Sequence, residues 1–279
     1  MLTLQIAVAL YAAAFIAMIA ALASANRGVS RAARLLLALG FAAHTIGLIA
    51  RWAQTGHPPF LNRFESVVFC AWATVLMVMA FEALYRSQLL SLLAIAFVEI
   101  LLPYAVWGID SELTHPMPAL RERFWLWIHI VSYFIGYAAV VVGTAAAVAD
   151  IIMRARATQQ ASFGALSYDR IAHRVVAFAF PFLTVGLVTG AVWAQKAWGQ
   201  YWSWDPKETW SLITWLLYLV YLHTPLALPR IITAPERRAR LVPVLMSIWL
   251  VACFGAMLVT YLGLRLLQGA ANSLHIYAQ

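Results

Sequence analysis

The chain has 279 residues, of which 64% are apolar and 11% charged, and its 19 Lys and Arg outnumber its 11 Asp and Glu. A soluble domain carries about 25% charged residues and about 45–50% apolar ones, so a soluble globular enzyme, a disordered chain and a disulfide-stapled secreted module are excluded. An integral membrane protein remains, and there a net charge of +8 reports topology before it reports a nucleic-acid partner.

Crossing roughly 30 Å of hydrocarbon takes about 20 apolar residues as a helix. Eight runs meet or approach that length: 2–24, 35–52, 65–84, 89–107, 124–153, 175–193, 210–229 and 241–267. The links are short, which predicts an all-α polytopic protein with a single membrane domain over 1–279. The first run ends on Ala23-Ser24-Ala25, which resembles a cleavage site. No Lys or Arg precedes the run and a basic loop follows it, the pattern of a retained span with an outward N-terminus.

The second run carries His44 and the fourth Glu99, both at mid-depth, where a polar side chain needs a partner. Asn62 followed by Glu65 reads as the start of the third helix. Cys70 and Cys253 lie in separate apolar runs with no CxxC, so there is no dithiol motif for redox or metal work. In the fifth run Trp125, His129, Tyr133 and Tyr137 share one face at i, i+4 spacing. The loops at 26–34, 85–88, 154–174 and 230–240 hold twelve of the 19 Lys and Arg, which makes that side cytoplasmic and turns both termini outward.

The most unusual stretch joins the sixth run to the seventh: Trp198-Gly199-Gln200-Tyr201-Trp202-Ser203-Trp204-Asp205-Pro206-Lys207-Glu208-Thr209-Trp210. Trp normally marks both interfaces. Here Trp52, Trp107, Trp125, Trp127, Trp193, Trp198, Trp202, Trp204 and Trp210 all fall at or near the outer face, and no cytoplasmic loop contains one. Such a platform suits a large, flat, apolar ligand with a polar edge. An aromatic cap over the helix ends has the same composition, so both readings stand at this point.

Asp205, Pro206 and Glu208 read as N-cap, N1 and N3 of the seventh helix. The only two lysines, Lys196 and Lys207, flank the aromatic segment. They could meet an anionic ligand edge, Glu208 or a lipid phosphate.

Histidine is the commonest ligand of metals and of heme iron. His129, one turn inside the outer end of helix five, and His275, in the outer tail, can reach the level of the aromatic segment, whereas His223 lies near the inner end of helix seven. His57, His115 and His173 read as solvated loop histidines. The pairs His44/His57 and His115/His129 have the spacing of membrane b-type cytochromes. Each pair straddles a helix end and a Pro-bearing loop, which disfavours a multiheme cytochrome.

The thirteen-residue stretch resembles the WWD signature of heme-handling proteins. Its Pro-Lys-Glu-Thr continuation, Ile213-Thr214-Trp215, Tyr221-Leu222-His223, the upstream Gly56-His57-Pro58-Pro59 with Asn62-Arg63-Phe64-Glu65-Ser66, and the terminal Leu274-His275-Ile276-Tyr277 resemble the CcsA/ResC family in particular, over residues 40–279.

The resemblance implies cytochrome c biogenesis in the bacterial inner (plasma) membrane, with the WWD segment (194–210) and both termini extracytoplasmic. Heme b would be the substrate and apocytochrome c the acceptor, with a CcsB/ResB-like membrane partner and no nucleic acid. The chain would be a subunit of a cytochrome c synthase. Carried over by motif, Trp198, Tyr201, Trp202, Trp204, Asp205, Lys207 and Trp210 would contact heme. His129 and His275 would ligate its iron at an outer site, and His223 at an inner one. No catalytic residue is implied. Two departures stand out: Arg265 replaces an Asn found in many relatives, and Gln268–Ser273 extends the stretch before the final His. The alternatives are a heme handler of the CcmC/CcmF type and a transporter of an amphipathic substrate.

Overall fold

A computed structural model describes residues 1–112, 123–156, 167–231 and 234–262, with backbone alone for 123, 228–231 and 235–240. The described residues form eight α-helices and no strand: α1 Leu2–Ser24, α2 Arg27–Thr55, α3 Arg63–Tyr85, α4 Gln88–Gly108, α5 Arg123–Arg156, α6 Tyr168–Trp198, α7 Pro206–Ile231 and α8 Pro235–Tyr261. All eight are long and apolar enough to cross a membrane. The eight runs of the sequence correspond to these helices. Several helices, α2 and α6 above all, extend past their apolar runs into polar sequence.

The helices fall into two compact units, residues 1–121 and 122–277. In the first unit α1 lies along α2 and also touches α4, while α3 packs on α4. Glycine sets the closeness of α1 and α2. A Cβ on Gly40 would stand 2.6 Å from the Tyr11 ring, and one on Gly47 would stand 2.7 Å from Leu4. His44 is wholly buried between these contacts, with Nδ1 3.3 Å from the Tyr11 hydroxyl. That hydroxyl is the partner a mid-membrane imidazole requires.

At one end of the unit Arg51 gathers three segments. Its Nε donates to Glu65 Oε1 (3.1 Å), Nη1 to the Ser111 carbonyl (2.6 Å) and Nη2 to the Glu112 carbonyl (3.0 Å). Asn62 caps α3 by accepting from the Glu65 backbone N–H at 2.8 Å, as its sequence predicts. His57 is not a solvated loop residue. Its Nδ1 lies 3.1 Å from the Pro58 carbonyl and 3.8 Å from Glu65, so it joins the Arg51 cluster.

In the second unit α5 and α6 pack along most of their length. Gly136 and Gly143 on α5 meet Leu183 and Val176 on α6, where a Cβ would stand at 2.7 Å and 3.2 Å. α8 covers α5 and α7. Its Ser247 donates to Asp150, which also accepts from Arg154 one turn along α5. Thr214 and Thr260 join α7 to α8 at 2.8 Å, and the Trp215 indole donates to Thr184 of α6. His173 lies inside α6 rather than in a loop, with its ring 5.9 Å from that of Tyr221.

Candidate functional site

Gly199 ends α6 in the left-handed region (φ 84°), where a residue without Cβ is unstrained, and its N–H closes on the Gln195 carbonyl. The chain then crosses six residues to Pro206, where α7 begins. Glu208 and Asp205 fix that crossing. Glu208 Oε2 accepts from the Ser203 N–H (2.8 Å), the Ser203 hydroxyl (3.1 Å) and the Asp205 N–H (3.2 Å). Asp205, itself buried, accepts the Lys207 N–H at 2.8 Å. This reciprocal arrangement is a capping box built around a Pro at N1. It engages Glu208 with the loop backbone.

The loop so fixed presents its aromatic residues unequally. Tyr201 and Trp204 are 59% and 70% exposed, whereas Trp202 and Trp210 are half-buried. Trp204 sits at φ 59°, one of three non-glycine residues at positive φ among those described. A Cβ-bearing residue in that region costs about 1–3 kcal/mol, and here the cost holds a large indole out of the protein. Trp202 meets it edge to face at 5.8 Å.

Behind the loop, rings run in file down the second unit. Trp198 meets Trp193 at 4.7 Å, and Trp193 lies nearly parallel to His129 at 6.1 Å and 17°. His129 meets Tyr133 at 5.0 Å, Tyr133 meets Tyr137 at 5.1 Å, and Tyr137 meets Tyr261 of α8 at 5.9 Å. The i, i+4 face seen in the sequence therefore points inward, onto α6 and α8. Trp125 pairs instead with Phe124 at 5.1 Å.

His129 Nδ1 lies 2.8 Å from the Gly186 carbonyl. A carbonyl oxygen only accepts, so Nδ1 carries the hydrogen. A histidine oriented through Nδ1–H to a backbone carbonyl is the usual arrangement for metal ligation through Nε2.

The sequence thus places His129, Trp198, Tyr201, Trp202, Trp204, Asp205, Lys207 and Trp210 at one end of the second unit, and the structure brings His129 to Trp198 through Trp193. His223 stands apart, 17 residues beyond Pro206 on α7, or about 26 Å along the helix axis. It is exposed, with Nδ1 2.8 Å from the Leu219 carbonyl one turn back. His275 lies outside the described residues. Sequence reasoning missed Gly186 and Gly190 as neighbours of His129. It also missed the role of Glu208 in holding the loop, although the capping-box spacing was its trace.

The sequence model of the family described as Cytochrome C assembly protein matches residues 60–272. The chain is 35% identical to the cytochrome c biogenesis protein CcsA of a Synechococcus strain, over 77% of this chain and 82% of that one. It is 33% identical to CcsA of a Prochlorococcus marinus strain, over 90% and 87%. CcsA of Chlamydomonas reinhardtii is 35% identical, and there the match spans 64% of this chain and about half, 53%, of the relative's length.

Among solved structures, the cytochrome c heme lyase CcmF superposes with a TM-score of 0.68 over 93% of this chain and 45% of that one. At 21% identity this is a likeness of fold. With the family model matching most of its length and two of these CcsA relatives aligning across more than four fifths of theirs, the chain belongs to the cytochrome c assembly protein family, in its CcsA branch.

Proposed function

We propose that this chain holds heme b as a substrate at the extracytoplasmic face of the bacterial inner membrane and presents it to apocytochrome c, working with a CcsB/ResB-like partner as a cytochrome c synthase. The observation that carries the reading is the ordered file from the WWD loop to His129, with Nδ1 committed to Gly186 and the ring stacked beneath Trp193. Iron ligation then falls to Nε2, with His275 as the second axial ligand. Trp198, Tyr201, Trp202, Trp204 and Trp210 offer indole and phenol faces to the porphyrin, while Lys207 answers the propionate edge and Asp205 keeps the loop in shape. His223 serves an inner site whose second ligand comes from the partner.

Attachment is the addition of a CxxCH thiol across a heme vinyl group. The sulfur bonds to the inner vinyl carbon and a proton ends on the terminal carbon, with no net oxidation. Such a reaction gains most from proximity and orientation, which is what a rigid aromatic platform supplies. Keeping the thiols reduced falls to another protein, since this chain has no CxxC.

The test is deletion of the gene scored by covalent heme staining of c-type cytochromes, with complementation by wild type and by the His129→Ala, His275→Ala double variant. Deletion is expected to abolish staining, wild type to restore it and the double variant to fail. Normal staining in the deletion strain refutes the function. Full rescue by the double variant refutes the outer-site assignment.

A further inference from the structure

The contact between His129 and α6 is closer than helix packing alone demands. Gly186, Gly190 and Trp193 lie on one face of α6, and each meets the same imidazole in a different way. The Gly186 carbonyl accepts from Nδ1 at 2.8 Å. A Cβ on Gly190 would stand 2.5 Å from Nδ1 and 2.6 Å from Cε1, inside any tolerable separation. The Trp193 indole covers the ring nearly in parallel and is 1% exposed. One turn below, a Cβ on Gly186 would stand 2.8 Å from the Tyr133 ring, which itself meets His129 edge-on. The two glycines at i, i+4 on α6 thus admit the two rings at i, i+4 on α5.

We infer that Gly186, Gly190 and Trp193 form a socket that fixes the ring plane of His129 and the nitrogen that carries its proton, making them positioning residues for iron ligation. This rests on the reading of His129 as a heme ligand and adds how the ligand is set. The socket works through three physical effects. The missing Cβ of Gly190 lets the imidazole sit against the α6 backbone, where no other residue type leaves space. The Gly186 carbonyl then holds the hydrogen on Nδ1 and makes Nε2 the basic nitrogen. The parallel indole prevents the ring from rotating about χ2. The same indole touches Trp198, so the iron ligand and the start of the aromatic platform share one rigid support.

The experiment uses the full chain purified with its bound heme, and compares wild type, His129→Ala, Gly190→Ala and Gly143→Ala. Gly143 is the control because it lies in the same helix pair and its Cβ would stand 3.2 Å from Val176, 3.5 Å from Val175 and 3.7 Å from the Ala172 carbonyl, all beyond the 2.5 Å clash at Gly190. Heme affinity, visible spectrum and reduction potential are read for each. His129→Ala is expected to lose the low-spin spectrum and to recover it with free imidazole. Gly190→Ala is expected to lower heme affinity by about 10–100-fold, the usual effect of disturbing the groups behind a ligand, and to shift the potential, while Gly143→Ala does neither. A wild-type spectrum in His129→Ala overturns the ligand reading and the socket together. Loss in His129→Ala with wild-type heme properties in Gly190→Ala overturns the socket alone, as does an equal effect of Gly190→Ala and Gly143→Ala.

A stability cycle without heme keeps the test open if Gly190→Ala folds poorly. Because the clash is with the imidazole, Gly190→Ala is expected to lower the thermal midpoint in the wild-type background and to leave it within about 2 °C in the His129→Ala background. The same loss in both backgrounds overturns the socket.

Discussion

Two residues of the WWD loop carry opposite kinds of cost. Trp204 is held at φ 59° and left 70% exposed, so its backbone strain opposes folding and its exposed indole adds little burial to offset it. Glycine at that position removes the strain. Trp204→Gly is therefore expected to raise the thermal midpoint relative to Trp204→Ala, by about 1 kcal/mol of folding stability, while both variants retain less heme than wild type. Unchanged heme retention in Trp204→Gly would mean that the exposed indole does not serve the ligand.

Glu208 works in the other direction. Its one carboxylate oxygen satisfies two backbone N–H groups and a hydroxyl. Glu208→Ala strips those donors of their partner, and is expected to cost about 1–3 kcal/mol and to weaken heme binding through the loop, as read by thermal unfolding and heme titration. Nothing in the composition separates these two roles. Trp204 was legible as an aromatic in a Trp-rich loop, but its positive φ depends on how the capping box closes. Glu208 was legible as an N3 residue, and its hold on Ser203 was not, because a hydrogen bond across five residues leaves no period in the sequence.

At the scale of helices, apolar length and cap chemistry were enough to place all eight elements, and the Asn62 and Asp205 caps fell where their spacing indicates. What the sequence hid was contact between helices. His57 and His173 read as solvated because each neighbours Pro or basic residues. Yet Arg51 draws His57 into a buried cluster, and α6 begins early enough to enclose part of His173. Arg51 itself reads as an unremarkable outer charge.

In the structure the Arg51 side chain is 12% exposed, it faces a Glu65 side chain that is 0% exposed, and it holds the carbonyls of Ser111 and Glu112. Removing one partner of a buried ion pair leaves an uncompensated charge and costs about 3–5 kcal/mol, whereas replacing both by apolar or neutral groups is often near neutral. Arg51→Met is therefore expected to lower the thermal midpoint sharply, and Arg51→Met with Glu65→Gln to recover much of the loss. Equal instability of the single and double variants would show that the backbone carbonyls, not Glu65, are what Arg51 serves.

For the whole molecule, the question is which side of the membrane the WWD loop occupies. Two independent signals agree. Lys and Arg are concentrated in four segments of helix ends and their links, 26–34, 85–88, 154–174 and 230–240, and Trp is concentrated at the opposite helix ends. The first reflects the positive-inside bias of short loops. The second has a functional origin if heme is handled there, because a belt alone would mark both interfaces. The orientation can be measured with little background, since the two native cysteines, Cys70 and Cys253, are 2% and 0% exposed. Gln200, in the aromatic loop, and Arg27, at the start of α2, are both exposed. In intact cells or spheroplasts a membrane-impermeant maleimide is expected to label Gln200→Cys at once and Arg27→Cys only after permeabilisation. The reverse pattern would place the platform in the cytoplasm, where it could take up heme but could not present it to an extracytoplasmic CxxCH. Labelling of both without permeabilisation would break the alternation of the five helices α2 to α6 that the basic segments require.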